Sequence, residues 1–133
     1  MYVDKNDLTK VVRYWQAGEF KRKAFEKGWM VPHPTFFVKK EIYEKYGDFN
    51  TNFSIAADYE MILRLLYKHG IPTHYIPKIL VKMRQGGISN RSFINMVRKS
   101  IEDYKVCKVH GIQRSCAVVI GKNLIKLPQF FMR

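Results

Sequence analysis

The sequence predicts an α+β domain, because helical periodicity dominates the chain while two short stretches have the composition of strands. Within residues 58–70, apolar side chains recur at the spacing of one helix face, and Gly70 followed by Pro72 ends the pattern. Residues 35–38 and 73–84 are instead rich in β-branched and aromatic side chains. Since two isolated strands do not make a stable sheet, we expect the chain to be the helix-rich part of a larger fold.

The first part of the chain is predicted to contain two helical segments. Asn6 or Asp7 is a suitable N-cap for a helix that continues to Gln16, and residues 19–27 form a second, strongly basic helical region. Two prolines within residues 29–34 remove backbone donors and favour extended geometry at the residues before them. This stretch is therefore predicted to be an ordered loop or the entry to a strand.

Residues 35–38 are predicted to form a short buried strand, and residues 39–46 a helix that a glycine ends. Residues 48–57 are polar except for a few large apolar side chains, of which Phe49 and Phe53 are the aromatic ones. We expect both rings to point into the core and to hold this loop in place before the central helix.

The second half of the chain is predicted to begin with one or two strands in residues 73–84. A helix then extends from Ser89 or Asn90 to about His110, and a last helix covers residues 115–126. The apolar stripe predicted to face the core on the first of these helices consists of Phe93, Met96, Val97, Ile101 and Tyr104. Residues 127–133 form an apolar and basic tail.

Charge and composition restrict the partners of the chain. Its 133 residues are enough for one compact domain, and 24 Lys and Arg against 11 Asp and Glu give a net charge of +13. After residue 60 the only acidic residues are Glu102 and Asp103. This balance favours anionic partners: nucleotide diphosphates, nucleic acid or an anionic membrane surface. The two cysteines lack metal-type spacing and suit a reducing compartment, and no stretch resembles a signal peptide or a membrane span.

Asp58 is the residue in the sequence that is best suited to a chemical role. It stands at the start of the central helix, where free backbone N–H groups and the helix dipole favour a carboxylate. Such an acid is either a helix cap or a base. Glu60 is interpreted as a first-turn acid that complements the dipole, and Arg64 as a structural ion-pair partner.

Four blocks of sequence, in this order, resemble the C-terminal half of family 2 glycosyltransferases of the GT-A fold. The blocks are Pro-His-Pro-Thr-Phe-Phe at 32–37, Tyr-Gly-Asp-Phe at 46–49, Ala-Asp-Tyr-Glu-Met-Ile-Leu-Arg at 57–64 and Met-Arg-Gln-Gly-Gly-Ile-Ser at 83–89. The resemblance implies that residues 1–90 are the acceptor side of a catalytic domain. Residues 91–133 would then be a helical, basic extension.

The resemblance implies a role for six residues. Asp58 would be the general base that deprotonates the acceptor hydroxyl in an inverting transfer from a nucleotide-activated sugar. Family members often have a second acid immediately before the base, where this chain has Ala57. The donor- and acceptor-binding residues would be His33, Arg84, Gly86, Gly87 and Ser89, with the guanidinium and the backbone N–H groups near the donor diphosphate.

The same resemblance implies partners that the chain does not contain. Such enzymes hold Mn²⁺ or Mg²⁺ through an Asp-x-Asp motif in their N-terminal, nucleotide-binding half, and no Asp-x-Asp occurs in this sequence. We therefore expect a fragment without transfer activity of its own, which needs a separate N-terminal half or an oligomer partner. The implied setting is cell-surface polysaccharide synthesis with a sugar or lipid-linked acceptor. The implied location is cytoplasmic, with peripheral attachment to the inner face of the membrane.

Two other classes of function remain open at this point. A basic chain with interspersed aromatic residues also suits a nucleic-acid-binding module, although this reading leaves Asp58 and the glycine pair without a role. A non-catalytic domain that docks a partner through strand edges and exposed apolar surface is the third interpretation.

Overall fold

The computed structural model describes residues 1–84 and 93–125, which form an α+β domain. Three short strands make one sheet in the order β2-β1-β3. Strand β1 is Tyr2–Val3, β2 is Val11–Arg13 and β3 is Met83–Arg84. Strand β1 pairs antiparallel with β2 and parallel with β3. The sheet thus joins the start of the chain to a segment about 80 residues later.

Within the described residues, four α-helices and two short 3-10 turns supply most of the remaining regular structure. The helices are α1, Lys40–Tyr46; α2, Ala57–Ile62; α3, Phe93–Val109; and α4, Ser115–Leu124. Helix α2 continues as a π-helical stretch over Leu63–Lys68. The 3-10 turns cover Arg22–Lys27 and His33–Thr35. None of the helices in the described ranges is long and apolar enough to cross a lipid bilayer.

The core lies where α2, α3, α4 and the first 3-10 turn meet. Its buried residues come from both sides of position 90, so the two predicted segments share one core. These residues are Phe25, Met30, Ala56, Tyr59, Ile62, Leu63, Leu66, Val106, Cys107, Ile112 and Val118.

The predicted helix from Asn6 or Asp7 to Gln16 is wrong, because this segment turns back to form β2. The Asp4 carboxylate accepts hydrogen bonds from the N–H groups of Asn6 and Asp7, and Asp7 accepts one from Thr9 N–H. These side chains stabilise a turn instead of capping a helix.

The other predicted strands form only in part. Residues 35–38 have no strand partner, and Phe37 is 74% exposed. Within residues 73–84 only β3 pairs with another strand. Phe49, predicted to be buried, is half exposed, whereas Phe53 packs against the core.

A buried polar group ties α2 to the surrounding loops. Glu60 Oε1 lies 3.0 Å from Nε2 of His110 and 3.3 Å from Nε of Arg64. The Arg64 guanidinium also donates hydrogen bonds to the backbone carbonyls of Tyr46 and Gly47, at the end of α1. The prediction that Arg64 is a structural ion-pair partner is confirmed.

A second buried group joins α3 to α4. Lys122 Nζ donates to Oδ1 of Asp103 at 2.8 Å, and Lys99 Nζ donates to Oδ2 at 2.8 Å. The Lys122 ammonium also lies 3.3 Å from the ring centroid of Tyr59. Burial lowers the pKa of Lys122 to about 8, although the Asp103 carboxylate opposes this shift. Lys122 and Asp103 thus form a nearly fully buried ion pair.

The backbone of α4 touches the first 3-10 turn at a pair of glycines. A Cβ atom on Gly121 would lie 2.6 Å from the carbonyl oxygen of Lys27, closer than real Cβ atoms come to backbone. The facing residue, Gly28, has φ +87°, a conformation that glycine adopts without strain. Only glycine therefore fits at this crossing.

We expect Gly121→Ala to lower the free energy of unfolding by about 2–3 kcal/mol, because the added methyl forces two backbones apart. The sign is informative, since alanine stabilises an unobstructed helix by about 1 kcal/mol relative to glycine. Urea unfolding followed by circular dichroism measures the change. Asn123→Ala, at an exposed position of the same helix, is the matched control and should change stability by less than about 0.5 kcal/mol. An unchanged or raised stability for Gly121→Ala would contradict the close backbone contact.

Candidate functional site

The structure brings together two of the residues that the sequence singles out. His33 Nδ1 lies 3.0 Å from Oδ2 of Asp58, although 25 positions separate the two residues in the sequence. The side chains are 45% and 31% exposed, so both reach solvent. This pair, called here the His33–Asp58 pair, is a carboxylate and an imidazole in contact at the surface of the core.

A tight turn fixes the position of His33. His33 begins the 3-10 turn between two prolines, and Thr35 N–H and its hydroxyl both donate to the carbonyl of Pro32 at 2.9 Å. The N–H of Phe36 closes the turn on the carbonyl of His33 at 3.1 Å. The expected extended geometry at His33 is thus replaced by one turn of 3-10 helix.

Asp58 is the second residue of α2, whose N-cap residue is Ala56. Its Oδ1 accepts a hydrogen bond from the N–H of Tyr59 at 2.8 Å, while Oδ2 faces His33. The carboxylate therefore has one oxygen bonded to the helix and the other directed to a neighbouring side chain. Asp58 does not hold the N-cap position, and a role beyond capping is compatible with this geometry.

The start of α2 is held by a residue that is distant in sequence. Glu102, on α3, accepts hydrogen bonds from the N–H groups of Ile55 and Ala56 at 2.8 and 2.9 Å, and from the Ser54 hydroxyl at 2.9 Å. Burial raises the pKa of Glu102, but these hydrogen bonds outweigh burial and hold it below the usual value. Glu102 thus does for α2 what an N-cap side chain normally does, and it sets where Asp58 stands.

Asp58 is ionised at neutral pH. Burial raises its pKa, but the hydrogen bond and the charge of His33, together with the Tyr59 N–H, outweigh this effect and hold the pKa below its ordinary value. Because the folded pKa is depressed, the stabilisation is complete above the unfolded pKa and is lost as the pH falls through the folded value. Through the physiological range the site therefore presents a carboxylate.

A cationic and aromatic group lies near the His33–Asp58 pair. The rings of Tyr2 and Trp15 stack at 6.5 Å between centroids, and the Arg13 guanidinium lies 4.9 Å from the Tyr2 ring centroid. Burial is the main factor that raises the pKa of Tyr2; Arg13 lowers it, and the Asp58 charge raises it further. The Asp58 carboxylate thus opposes ionisation of the Tyr2 phenol.

Arg84, another predicted site residue, is not joined to this pair. Arg84 ends β3 and pairs in register with Val3, whereas Tyr2 is opposite Met83. No hydrogen bond or ion pair links Arg84 to His33 or Asp58, all of which belong to the described ranges. The other three predicted residues, Gly86, Gly87 and Ser89, lie outside the described residues.

A large apolar cavity of about 680 Å³ adjoins the pair. Tyr2 and both neighbours of His33, Pro32 and Pro34, line it, but His33 and Asp58 do not. Its aromatic wall includes Trp15, Phe20, Trp29, Phe36 and Tyr75. The volume is within the range of ligand pockets, which are mostly apolar with a few polar groups at the edge. The polar pair and this cavity are thus neighbours, because Pro32 and Pro34 belong both to the cavity lining and to the turn that holds His33.

The metal that the resemblance implies has no ligand set among the described residues. No group of three or more His, Cys, Asp or Glu side chains in residues 1–84 and 93–125 is placed to hold a metal ion. The His33–Asp58 pair supplies two donors without a third. We therefore assign no metal-dependent step to these residues.

Sequence reasoning missed Glu102 and the Tyr2–Arg13–Trp15 group. The sequence did contain a signal for Glu102, because it is one of only two acidic residues in the strongly basic segment 61–133. No local pattern connected Tyr2 to Asp58, since only the sheet brings the start of the chain to this site. Glu102 and Tyr2 both act on residues that are far away in the sequence.

Comparisons with protein-family models, with curated proteins and with solved structures find no match to this chain.

Proposed function

We propose that this chain is the acceptor side of a GT-A glycosyltransferase, in which Asp58 is the general base of an inverting sugar transfer. The observation that supports this most directly is the His33–Asp58 contact. Both residues were assigned to one cleft by a resemblance in two separate sequence blocks, and they lie 3.0 Å apart at a solvent-accessible position. If the resemblance of the two blocks were accidental, there would be no reason to expect these two residues to lie in contact.

The geometry of the pair suits the abstraction of a proton from a hydroxyl group. A general base must be ionised, must reach its proton within hydrogen-bond distance and must be held in a fixed orientation. The lowered pKa of Asp58 meets the first requirement, and its partial exposure allows a hydroxyl to approach Oδ2. His33, Tyr59 N–H and the Glu102-anchored start of α2 meet the third. The base would receive the proton as the acceptor oxygen attacks the sugar.

The neighbouring cavity extends this proposal to the acceptor. An apolar space with an aromatic wall beside the base suits an acceptor with a large apolar portion, such as a lipid-linked sugar. Aromatic rings also suit the faces of sugar rings. The nucleotide-binding half, with any Mn²⁺ or Mg²⁺, would be contributed by other polypeptide, so the chain alone is proposed to be inactive. The proposed setting is polysaccharide synthesis in the cytoplasm, at the inner face of the cell membrane.

A transfer assay tests this proposal. An extract of the cells that produce this chain is depleted of it and supplied with radiolabelled nucleotide sugars and Mn²⁺. We expect label to enter polysaccharide or lipid-linked product only after purified chain is added back, and we expect purified chain alone to give no turnover. Incorporation that does not depend on the chain would overturn the proposal. Turnover by the chain alone would contradict the requirement for a second half.

An oligonucleotide-binding measurement separates this function from the nucleic-acid alternative. Fluorescence anisotropy with single- and double-stranded oligonucleotides at low salt should show weak binding without a defined site, as expected of any chain with charge +13. Submicromolar binding with a steep salt dependence, unchanged in Asp58→Asn, would favour the nucleic-acid module instead.

A further inference from the structure

Four of the five residues predicted to face the core on α3 are exposed, which corrects the sequence prediction: Met96, Val97, Ile101 and Tyr104. The side chain of the fifth, Phe93, lies outside the described residues. The core side of α3 presents Asp103, Val106 and Cys107, and His110, directly after the helix, is also buried. The apolar residues of the opposite side are between 37% and 64% exposed. They are Ile94, Val97, Ile101, Tyr104 and Val109. The helix thus has two apolar faces, of which only one is covered by the described residues.

Basic residues are interleaved with this exposed stripe. At 100° per residue, Arg98, Lys105 and Lys108 fall on the same side of α3 as Ile101, and all three are exposed. The Lys108 ammonium lies 5.8 Å from the ring centroid of Tyr104. This surface, called here the outer face of α3, is defined by the five apolar residues above and these three cations.

The acidic residues of α3 are turned away from the outer face. Glu102 bonds to the start of α2, and Asp103 is buried between Lys99 and Lys122. Glu102 and Asp103 are also the only acids in residues 61–133. The outer face therefore carries apolar and positive groups without a compensating negative charge.

We propose that the outer face of α3 docks on a membrane surface that contains anionic lipid. The charge complementarity selects this occupant, because a helix that joins aliphatic side chains to lysine and arginine is suited to the boundary between head groups and acyl chains. Nucleic acid would use the cations but would leave Ile94, Val97 and Ile101 against water. An acidic lipid surface satisfies both groups, since each lysine or arginine is attracted to the head groups while the aliphatic side chains enter the acyl region.

The proposed docking is in the plane of the membrane. Helix α3 has 17 residues, which corresponds to a length of about 25 Å. Tyr104 is a residue type that favours the interface between head groups and hydrocarbon, and the long lysine side chains reach outward from it. This inference does not depend on the sugar-transfer chemistry, because it concerns a surface that the His33–Asp58 pair does not use.

Vesicle flotation with the whole chain tests the proposal. Vesicles of phosphatidylcholine alone are compared with vesicles that contain phosphatidylcholine and phosphatidylglycerol at 7:3. We expect the chain to float with the anionic vesicles, to stay unbound with the neutral ones, and to be released by 0.5 M salt. Equal binding to both kinds of vesicle, or binding to neither, would overturn the proposal.

Two pairs of matched variants locate the contact. Ile101→Glu should weaken binding to anionic vesicles about tenfold or more, whereas Ile79→Glu should have a much smaller effect. The exposed fractions of these two isoleucines are nearly the same, 49% and 52%. Lys105→Glu should weaken binding several-fold more than Lys21→Glu, because only Lys105 lies on the outer face of α3. The two variants are matched, since both lower the net charge by two and both sites are exposed. Equal effects within each pair would show that overall charge, not the outer face of α3, drives binding.

Two further measurements exclude a second copy and misfolding. Circular dichroism must show the wild-type helix content for Ile101→Glu, and Lys105→Glu serves as the readout if it does not. Sedimentation without vesicles should give the same molecular mass for the wild type and Ile101→Glu. A dimer that Ile101→Glu dissociates, with vesicle binding unchanged, would assign the outer face to a second copy of the chain and overturn the proposal.

Discussion

Asp58→Asn is expected to lower kcat for sugar transfer by about 10²–10⁴-fold, the range that a positioned general base contributes. Asparagine has nearly the same shape and still accepts the hydrogen bond from Tyr59 N–H at Oδ1, so the start of α2 should be preserved. The substitution removes the negative charge that is proposed to receive the acceptor's proton. Donor binding should change little, because the donor diphosphate is not assigned to this residue. The measurement is the initial rate in the reconstituted transfer assay, with donor affinity determined separately.

Glu44→Gln is the matched control for this variant. Glu44 is an exposed acid on α1 whose ion pair with Lys40 is a surface contact of 3.3 Å, so the substitution removes the same charge away from the site. Its rate should equal that of the wild type. A wild-type rate in Asp58→Asn would leave the His33–Asp58 pair as a structural contact only. A loss of rate together with a loss of helix content would point to stability instead of chemistry.

Asp103→Ala is expected to have the largest effect on stability, lowering the free energy of unfolding by about 3–5 kcal/mol at pH 7. The substitution removes the carboxylate that pairs with Lys122 and leaves a buried ammonium beside Lys99. The protein can escape this by deprotonating Lys122, which for a lysine with an ordinary pKa costs about 5 kcal/mol at pH 7. The cost of leaving the ammonium unpaired and the cost of deprotonating Lys122 are thus similar. Chemical denaturation followed by circular dichroism measures the change, with Glu44→Ala as the surface control.

The pH dependence of the stability loss shows whether Asp103→Ala acts by removing the ion-pair partner of Lys122 or only by creating a cavity. In the wild type the pKa of Lys122 is lowered to about 8, so stability rises with pH from near this value towards the unfolded pKa of 10.5. In Asp103→Ala we expect Lys122 to be neutral already at pH 7, so stability rises with pH over the whole interval. The difference between the two proteins should therefore shrink by about 1.4 kcal/mol between pH 7 and pH 9. A difference that does not depend on pH would contradict the ion-pair explanation.

A second substitution should restore part of the lost stability. Asp103→Ala combined with Lys122→Met removes both buried charges and replaces the lysine by an apolar side chain of similar length. We expect the double variant to be more stable than Asp103→Ala alone, since replacing both members of a buried ion pair is often neutral. A double variant less stable than either single variant would show that the polar pair itself is required.

Local sequence signals predicted the helices well where propensity and burial agree. The stretch 57–68 combines apolar periodicity with a glycine stop, and the structure has helix over Ala57–Lys68. Helices α1 and α4 were also predicted to within one or two residues. The α+β class is confirmed, whereas membership of the GT-A fold stays a proposal.

The errors come from interactions that periodicity does not encode. The Asp4 and Asp7 side chains hold a turn, so β2 forms where a helix was expected. On α3 the apolar residues were assigned to the core because sequence alone does not say which of two apolar faces is covered. Buried Asp103 and His110 mark the covered face, and their partners Lys122 and Glu60 lie on other helices.

Two of the predicted site residues, His33 and Asp58, lie in contact, but the residues that support this pair were not predicted. His33 and Asp58 were named from sequence blocks, and their contact required the fold. The anchor of α2 was not predictable from the helix itself, since Ala56 at the N-cap position has no side-chain acceptor and Glu102 is 46 residues away.

Helix α3 carries two features: Glu102, which anchors the start of α2, and the outer face, which lies on another side of the same helix. Glu102 directly follows Ile101 in the sequence, so the anchor and the outer face lie about 100° apart around the helix axis. In the proposed arrangement on a membrane, the Glu102 anchor on the same helix would hold Asp58 at a fixed height relative to the lipid head groups. Only hydroxyl groups held at that height would reach the carboxylate, which would give the proposed transferase a way to choose acceptors by their distance from the bilayer.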